Sequence, residues 1–269
     1  MSKHIHRQVR VRQHTYRHTR TTHTHTHTHT HTGIAADPYS SDGMPGQIVI
    51  EDVEITDNIA FDGFGGGMKI KKGNVTMSRV LFRNNTAKVG GGAVAFQSNS
   101  EANMTSCSLI DNKAQTRGGA LFAEGQFVDI HVKQTLLERH IAFEGEGGCI
   151  YLEGTSAATL SNVDLRACVA GSHGGGASLR GKSSLVLEND VTIRECTATR
   201  GMGGGLLAAG DSVVVKGDID KRVLVEKNRA QLGGAICCMS RISLEGYSTT
   251  LLQDNEASKG THSQTYSLR

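Results

Sequence analysis

The sequence predicts an all-β protein: a single parallel β-helix (β-solenoid) of about seven three-strand coils, preceded by a disordered tail. Three observations carry that reading. From Ile55 onward one motif recurs, an apolar residue, two variable residues, Asn, any residue, Ala, a short loop and Gly-Gly. Its alanines, Ala60, Ala87, Ala114, Ala142, Ala170, Ala198, Ala230 and Ala257, are spaced 27, 27, 28, 28, 28, 32 and 27 residues apart. Between them the apolar residues alternate over three to five positions, a strand signal, and no interval holds the longer 3.6-residue period of a helix. The 269 residues include 33 glycines, 2 prolines and 37% hydrophobic residues, below the ~45–50% usual in globular chains and suited to a thin core repeated along an axis.

Residues 1–46 are read as a disordered, basic His/Thr-rich tail. They carry six Lys/Arg against Asp37 and Asp42, which leaves 23 of the chain's 29 basic and 24 of its 26 acidic residues in the body. The body is therefore electrically balanced, and without a basic face to neutralise phosphates no nucleic-acid partner is expected. His23, His25, His27, His29 and His31 alternate with threonine, which in an extended chain puts five imidazoles on one face. Nothing in the run fixes a coordination geometry, so neither a metal nor any other cofactor is expected. No apolar run reaches the ~18–20 residues of a membrane-spanning helix or forms the core of a secretory signal. Both prolines, Pro38 and Pro45, fall in a turn-rich boundary.

The repeat domain spans 47–260. One copy gives Cys149-Ile150-Tyr151-Leu152, then Ala158-Thr159-Leu160, then Val163-Asp164-Leu165 as its three strands. In a parallel coil each strand pairs with its equivalent one turn away, about 4.8 Å along the axis, so equivalent residues form columns. Asn58, Asn85, Asn112, Asn228 and Asn255 then make a side-chain amide ladder, which His140, Cys168 and Cys196 interrupt. The alanines point inward where space is short, and the Gly pairs supply positive φ or close backbone approach. The last repeat stops at Lys259-Gly260, halfway through a coil, and residues 261–269 are read as a polar, truncated end. Such a solenoid has open ends, so continuation or self-association through them is expected.

Gly-Gly-Ala-Ile at 233–236 and Phe82-x-x-Asn85, with near matches at Gly118-Gly119-Ala120-Leu121 and Gly91-Gly92-Ala93-Val94, resemble the paired signatures of the chlamydial polymorphic outer membrane protein repeat. The resemblance covers about 48–260. It implies a right-handed β-helix, an extracellular or cell-surface location and an adhesin-like role toward a protein or glycan partner. The chain departs from the family in showing neither a secretory signal nor a membrane barrel.

The expected function is a non-enzymatic surface scaffold presenting side chains to such a partner, and no catalytic residue is assigned. The alternative is a polysaccharide-degrading hydrolase or lyase on a pectin-lyase-like helix. Ser172-His173-Gly174 and Glu188-Asn189-Asp190 are distantly similar to polygalacturonase motifs, but they stand in the reverse order. Asp164 and Glu195, one coil apart, are the carboxylate pair whose separation an inverting hydrolase would need at about 6.5–9.5 Å. The six cysteines contain no CxxC pair. Cys168 and Cys196, 28 residues apart on adjacent coils, bring their Cα atoms within the roughly 4.4–6.8 Å disulfide window. They are the candidate disulfide, with two buried free thiols as the other reading.

Overall fold

A computed structural model describes residues 34–36, 47–217, 221–239, 241–246, 249–259 and 266–268. The rest of the tail assigned to 1–46, and most of 261–269, lie outside the described residues. The chain winds as a parallel β-solenoid with no helix among the described residues. Eight rungs stack in register, making seven turns from first to last.

Each rung carries three faces and a narrow fourth. The first face pairs Met68–Ile70 with Val94–Phe96, and the latter with Leu121–Ala123 and so on down the stack. The second is illustrated by Ala157↔Ser184↔Ser212, and the third by Ile55↔Phe82↔Leu109. Long strands such as Val94–Thr105 and Val128–Glu138 bend around a corner and serve two faces. The fourth face is a two-residue strand, Thr86–Ala87 and its equivalents, which forms its own eight-stranded sheet. The sequence pattern gives three strands per coil because two residues are too short to show alternation. Ile34–Ala36, inside the span read as tail, pairs with Met68–Ile70 and supplies the first face of the first rung. Among the described residues the one antiparallel pairing joins Thr249–Gln253 to Tyr266–Leu268 and covers part of the last rung's edge.

Inward residues alternate with outward ones along every strand, as period-two patterning requires. Phe82, Leu109, Leu137, Leu165, Ile193 and Val225 stack on the inner third face, and Met68, Val94, Leu121 and Ile150 on the first, all at 0–1% exposure. This thin, continuous core is the main source of stability. It meets the fourth face at a corner where one column of residues adopts left-handed backbone: Asp57, Asn84, Asp111, Arg139, Ala167, Glu195, Lys227 and Asp254, with φ between 52° and 61°. The column after it holds the ladder asparagines, so their amides serve the very turn that bends the chain.

The Gly-Gly turn has a separate requirement at each residue. Gly147 sits at φ 66°, a region that L side chains adopt at a cost. A Cβ on Gly148 would lie 2.1 Å from the Gly175 carbonyl oxygen of the next rung, so only glycine lets the rungs approach to strand spacing.

Candidate functional site

The amide ladder is built in two blocks. Asn58 donates from N and Nδ2 to Asn85 Oδ1 at 3.1 and 2.9 Å, and Asn85 does the same to Asn112 Oδ1 at 3.0 and 2.9 Å. Asn228 repeats the pair toward Asn255 at 3.0 Å each. The second amide hydrogen goes to a third-face carbonyl of the preceding rung, from Asn85 to Ile55, Asn112 to Phe82, Asn228 to Ile193 and Asn255 to Val225. Every side-chain polar atom of a buried asparagine is thus satisfied, as burial demands, and the turns at Asn85, Asn112 and Asn228 are tied to both neighbouring rungs.

Rungs four to six replace asparagine by His140, Cys168 and Cys196. Asn112 N donates to His140 Nδ1 at 3.1 Å, so the imidazole supplies the acceptor that Oδ1 supplies elsewhere. That tautomer leaves the proton on Nε2, which is buried without a hydrogen bond. Burial lowers the pKa of His140 to about 4, against a smaller upward pull from neighbouring backbone groups. Cys196 N re-enters the ladder by donating to Asn228 Oδ1 at 2.9 Å.

The disulfide differs from the one expected. Cys168 is bonded to Cys149, with Cα atoms 5.6 Å apart, and Cys196 is a buried free thiol. Residues in one column of a parallel stack point the same way rather than toward each other, so Cα proximity between rungs does not bring two Sγ atoms together. Cys168 instead meets Cys149, which starts the first face of the same rung, while the Cys196 thiol turns to the Arg194 carbonyl at 3.3 Å. Burial pushes the Cys196 thiol up to about 12, which keeps it protonated and unreactive.

A second cluster lies outside the first face, beneath the glycine loops. Phe64, Phe122 and Tyr151 stack with centroids 4.8 and 5.8 Å apart. The Arg117 guanidinium lies 5.2 Å from the Tyr151 ring centre and donates to Glu153 at 2.8 Å, an oxygen that also accepts from the Tyr151 hydroxyl at 3.1 Å. One rung on, Arg180 forks onto Glu146 at 2.8 and 2.6 Å, with Ser178 Oγ at 2.7 Å. Burial alone would raise the Glu146 pKa, but the hydrogen bonds from Arg180 and Ser178 outweigh it and hold the carboxyl below its usual range. The Tyr151 phenol is pushed upward, chiefly by burial. Both carboxylates are therefore neutralised by arginines and anchor the loops. Spacing along the chain gave no sign of this cluster, because Glu146 and Arg180 are 34 residues apart, one repeat plus an offset.

Of the residues weighed for sugar cleavage, Asp164, His173 and Asp190 make structural contacts, while Glu195 is exposed. Asp164 accepts from Arg194 at 3.0 Å, and Glu195 sits in the left-handed corner column. His173 Nδ1 accepts from Met202 N at 3.0 Å and caps a turn, and Asp190 binds Lys221 at 2.8 Å. Among the described residues no group of three His, Cys, Asp or Glu is placed to hold a metal, and no helix is long and apolar enough to cross a membrane.

Residues 79–100 match the family model of the Chlamydia polymorphic membrane protein repeat. That stretch runs from the Arg79 corner through Phe82-x-x-Asn85 and the glycines at 90–92 into the next first-face strand. No curated protein and no solved structure matches the chain.

Proposed function

For a chain whose repeat is of the Chlamydia polymorphic membrane protein type, we propose a non-enzymatic, adhesin-like scaffold at the cell surface, presenting its outer faces to a protein or glycan partner. The observation that carries this reading is how the carboxylates are held. Hydrolysis of a glycosidic bond by the usual pair of carboxyls needs one of them kept protonated, with a raised pKa. Here Asp111, held by Arg139, Glu138, held by Arg166, and Asp190, held by Lys221, all lie below their usual range, as does Glu146. These groups act as rung-to-rung ties. What remains for a partner is a set of long, stiff faces with side chains at strand spacing.

Two measurements test the proposal together. Protease shaving of intact cells should release peptides of the 47–260 domain, and the purified protein should bind the surface of other cells. Release of reducing or unsaturated sugars from a polysaccharide panel, with turnover, would overturn the reading in favour of an enzyme. Failure of shaving to release any such peptide would remove the surface assignment.

A further inference from the structure

On the outside of the fourth face the residues that follow the first six alanines of the repeat column are Phe61, Lys88, Gln115, Phe143, Gly171 and Thr199. Five of these positions carry a side chain and Gly171 does not. A Cβ there would lie 2.0 Å from the Phe143 carbonyl oxygen, so the backbone itself forbids one. Beside Phe143 lies an open notch of about 340 Å³, lined also by Ile141, Val169, Gly171, Glu144, Thr199 and Arg200.

The notch is rigid. Phe143 N, Gly171 N and Thr199 N donate to the Ala114, Ala142 and Ala170 carbonyls at 3.0, 2.8 and 2.9 Å. Arg200 spans the gap by donating to the Gly171 and Glu144 carbonyls at 2.8 and 3.1 Å, and Gln115 holds one Glu144 carboxylate oxygen at 2.5 Å. The Phe143 ring nevertheless stays 49% exposed, in a chain with only 4% aromatic residues.

We propose that this notch is a subsite for a neutral hexose residue of a glycan. The proposal rests on the scaffold reading above and names one ligand class for it. An exposed ring beside the aliphatic Ile141 and Val169 offers a face for the C–H side of a pyranose. Among the described residues the other Glu144 carboxylate oxygen and Arg200 Nη1 make no hydrogen bond, which places an acceptor and a donor on the rim, with the Thr199 hydroxyl nearby. Vicinal hydroxyls, each a donor and an acceptor, match that pair. The carboxylate and guanidinium offset each other in charge, which favours a neutral sugar over a uronate or sulfated one.

The test is saturation-transfer NMR and calorimetric titration of the full chain with neutral methyl hexosides and their disaccharides, with glucuronic acid as the acidic control. At least one neutral hexoside should show transfer at its C–H face. Phe143→Ala should weaken its binding at least tenfold, Phe143→Tyr should retain it, and neither should change thermal unfolding, because the ring is half exposed. No transfer from any neutral sugar, equal binding by Phe143→Ala, tighter binding of glucuronic acid, or saturation by an aromatic peptide instead would each overturn the subsite. Cell binding undiminished in Phe143→Ala, with no sugar bound by either form, defeats the subsite and leaves the scaffold standing. Loss of surface exposure with sugar binding intact does the reverse.

Discussion

Replacing His140 by asparagine separates the ladder's geometry from its charge. In the folded chain the imidazole is fully buried and neutral, with Nδ1 occupied by the Asn112 amide and Nε2 unpartnered. Its pKa is about 4, from an ordinary 6.5. Nearby Asp111 favours the charged ring and Arg139 opposes it, and burial outweighs both. Because the folded value lies below the unfolded one, only the unfolded chain takes a proton between the two, so stability is complete above pH 6.5 and falls as pH drops toward 4. The fall from 6.5 to about 4, at about 1.4 kcal/mol for each tenfold in proton affinity, is worth on the order of 3 kcal/mol in full, of which about 2 kcal/mol is spent by pH 5. Urea unfolding of both proteins at pH 7 and pH 5 reads this directly. The natural chain should lose about 2 kcal/mol more than His140→Asn between those values, since the carboxylates titrate equally in both. Parallel pH dependences for the two proteins would refute the buried, neutral imidazole.

Peptide mapping with and without reduction should recover a Cys149–Cys168 linked pair and a free Cys196, and the double change to serine should cost about 3 kcal/mol for a closed loop of this length; a Cys168–Cys196 link would contradict the fold's side-chain directions. Gly148→Ala, whose Cβ meets the Gly175 carbonyl at 2.1 Å, should destabilise by on the order of 4 kcal/mol, whereas Gly63→Ala, with nothing within 4 Å, should be nearly neutral; equal thermal unfolding of the two variants would contradict the close rung approach. Asn85→Ala removes the acceptor for two Asn58 donors and takes the amide donor from the Ile55 carbonyl and from Asn112 Oδ1, which keeps only the backbone N–H of residue 85, so it should cost about 2–4 kcal/mol in denaturant unfolding, at about 1–3 kcal/mol for each buried group left unmade.

The solenoid was legible because its determinants are column properties. A spacing of 27 or 28 residues between alanines fixes the rung length, and a stack of asparagines is the sequence image of the ladder. What escaped the sequence depends on where a side chain points. Cys149 lies 19 residues before Cys168, a separation with no relation to the repeat, and only the bend of the chain within one rung brings the two sulfurs together. The Glu146–Arg180 fork and the Arg117–Tyr151–Glu153 group join a loop residue, Glu146 or Arg117, to first-face strands, and the path of those loops is set by glycine backbone conformations, which carry no side-chain pattern. The fourth strand is held by neighbouring rungs rather than by any local preference of its own two residues.

The departures from the repeat fall in the same place. Rungs four to six lose the ladder asparagine, and these rungs also hold the Cys149–Cys168 link, the Glu146–Ser178–Arg180 cluster and the notch at Gly171. A regular stack gains most from uniform columns, since every added amide meets a partner above and below. Giving up three consecutive asparagines forfeits up to three sets of such bonds, at about 0.5–1.5 kcal/mol each. The disulfide, on the order of 3 kcal/mol, and the forked arginine offset that loss by fixing the same rungs through other atoms. Sequences that break their own local rule tend to do so where something other than folding is selected. On the scaffold function proposed above, that reasoning puts a partner's contacts at the middle of the stack, with its exposed Phe143 and its substituted ladder.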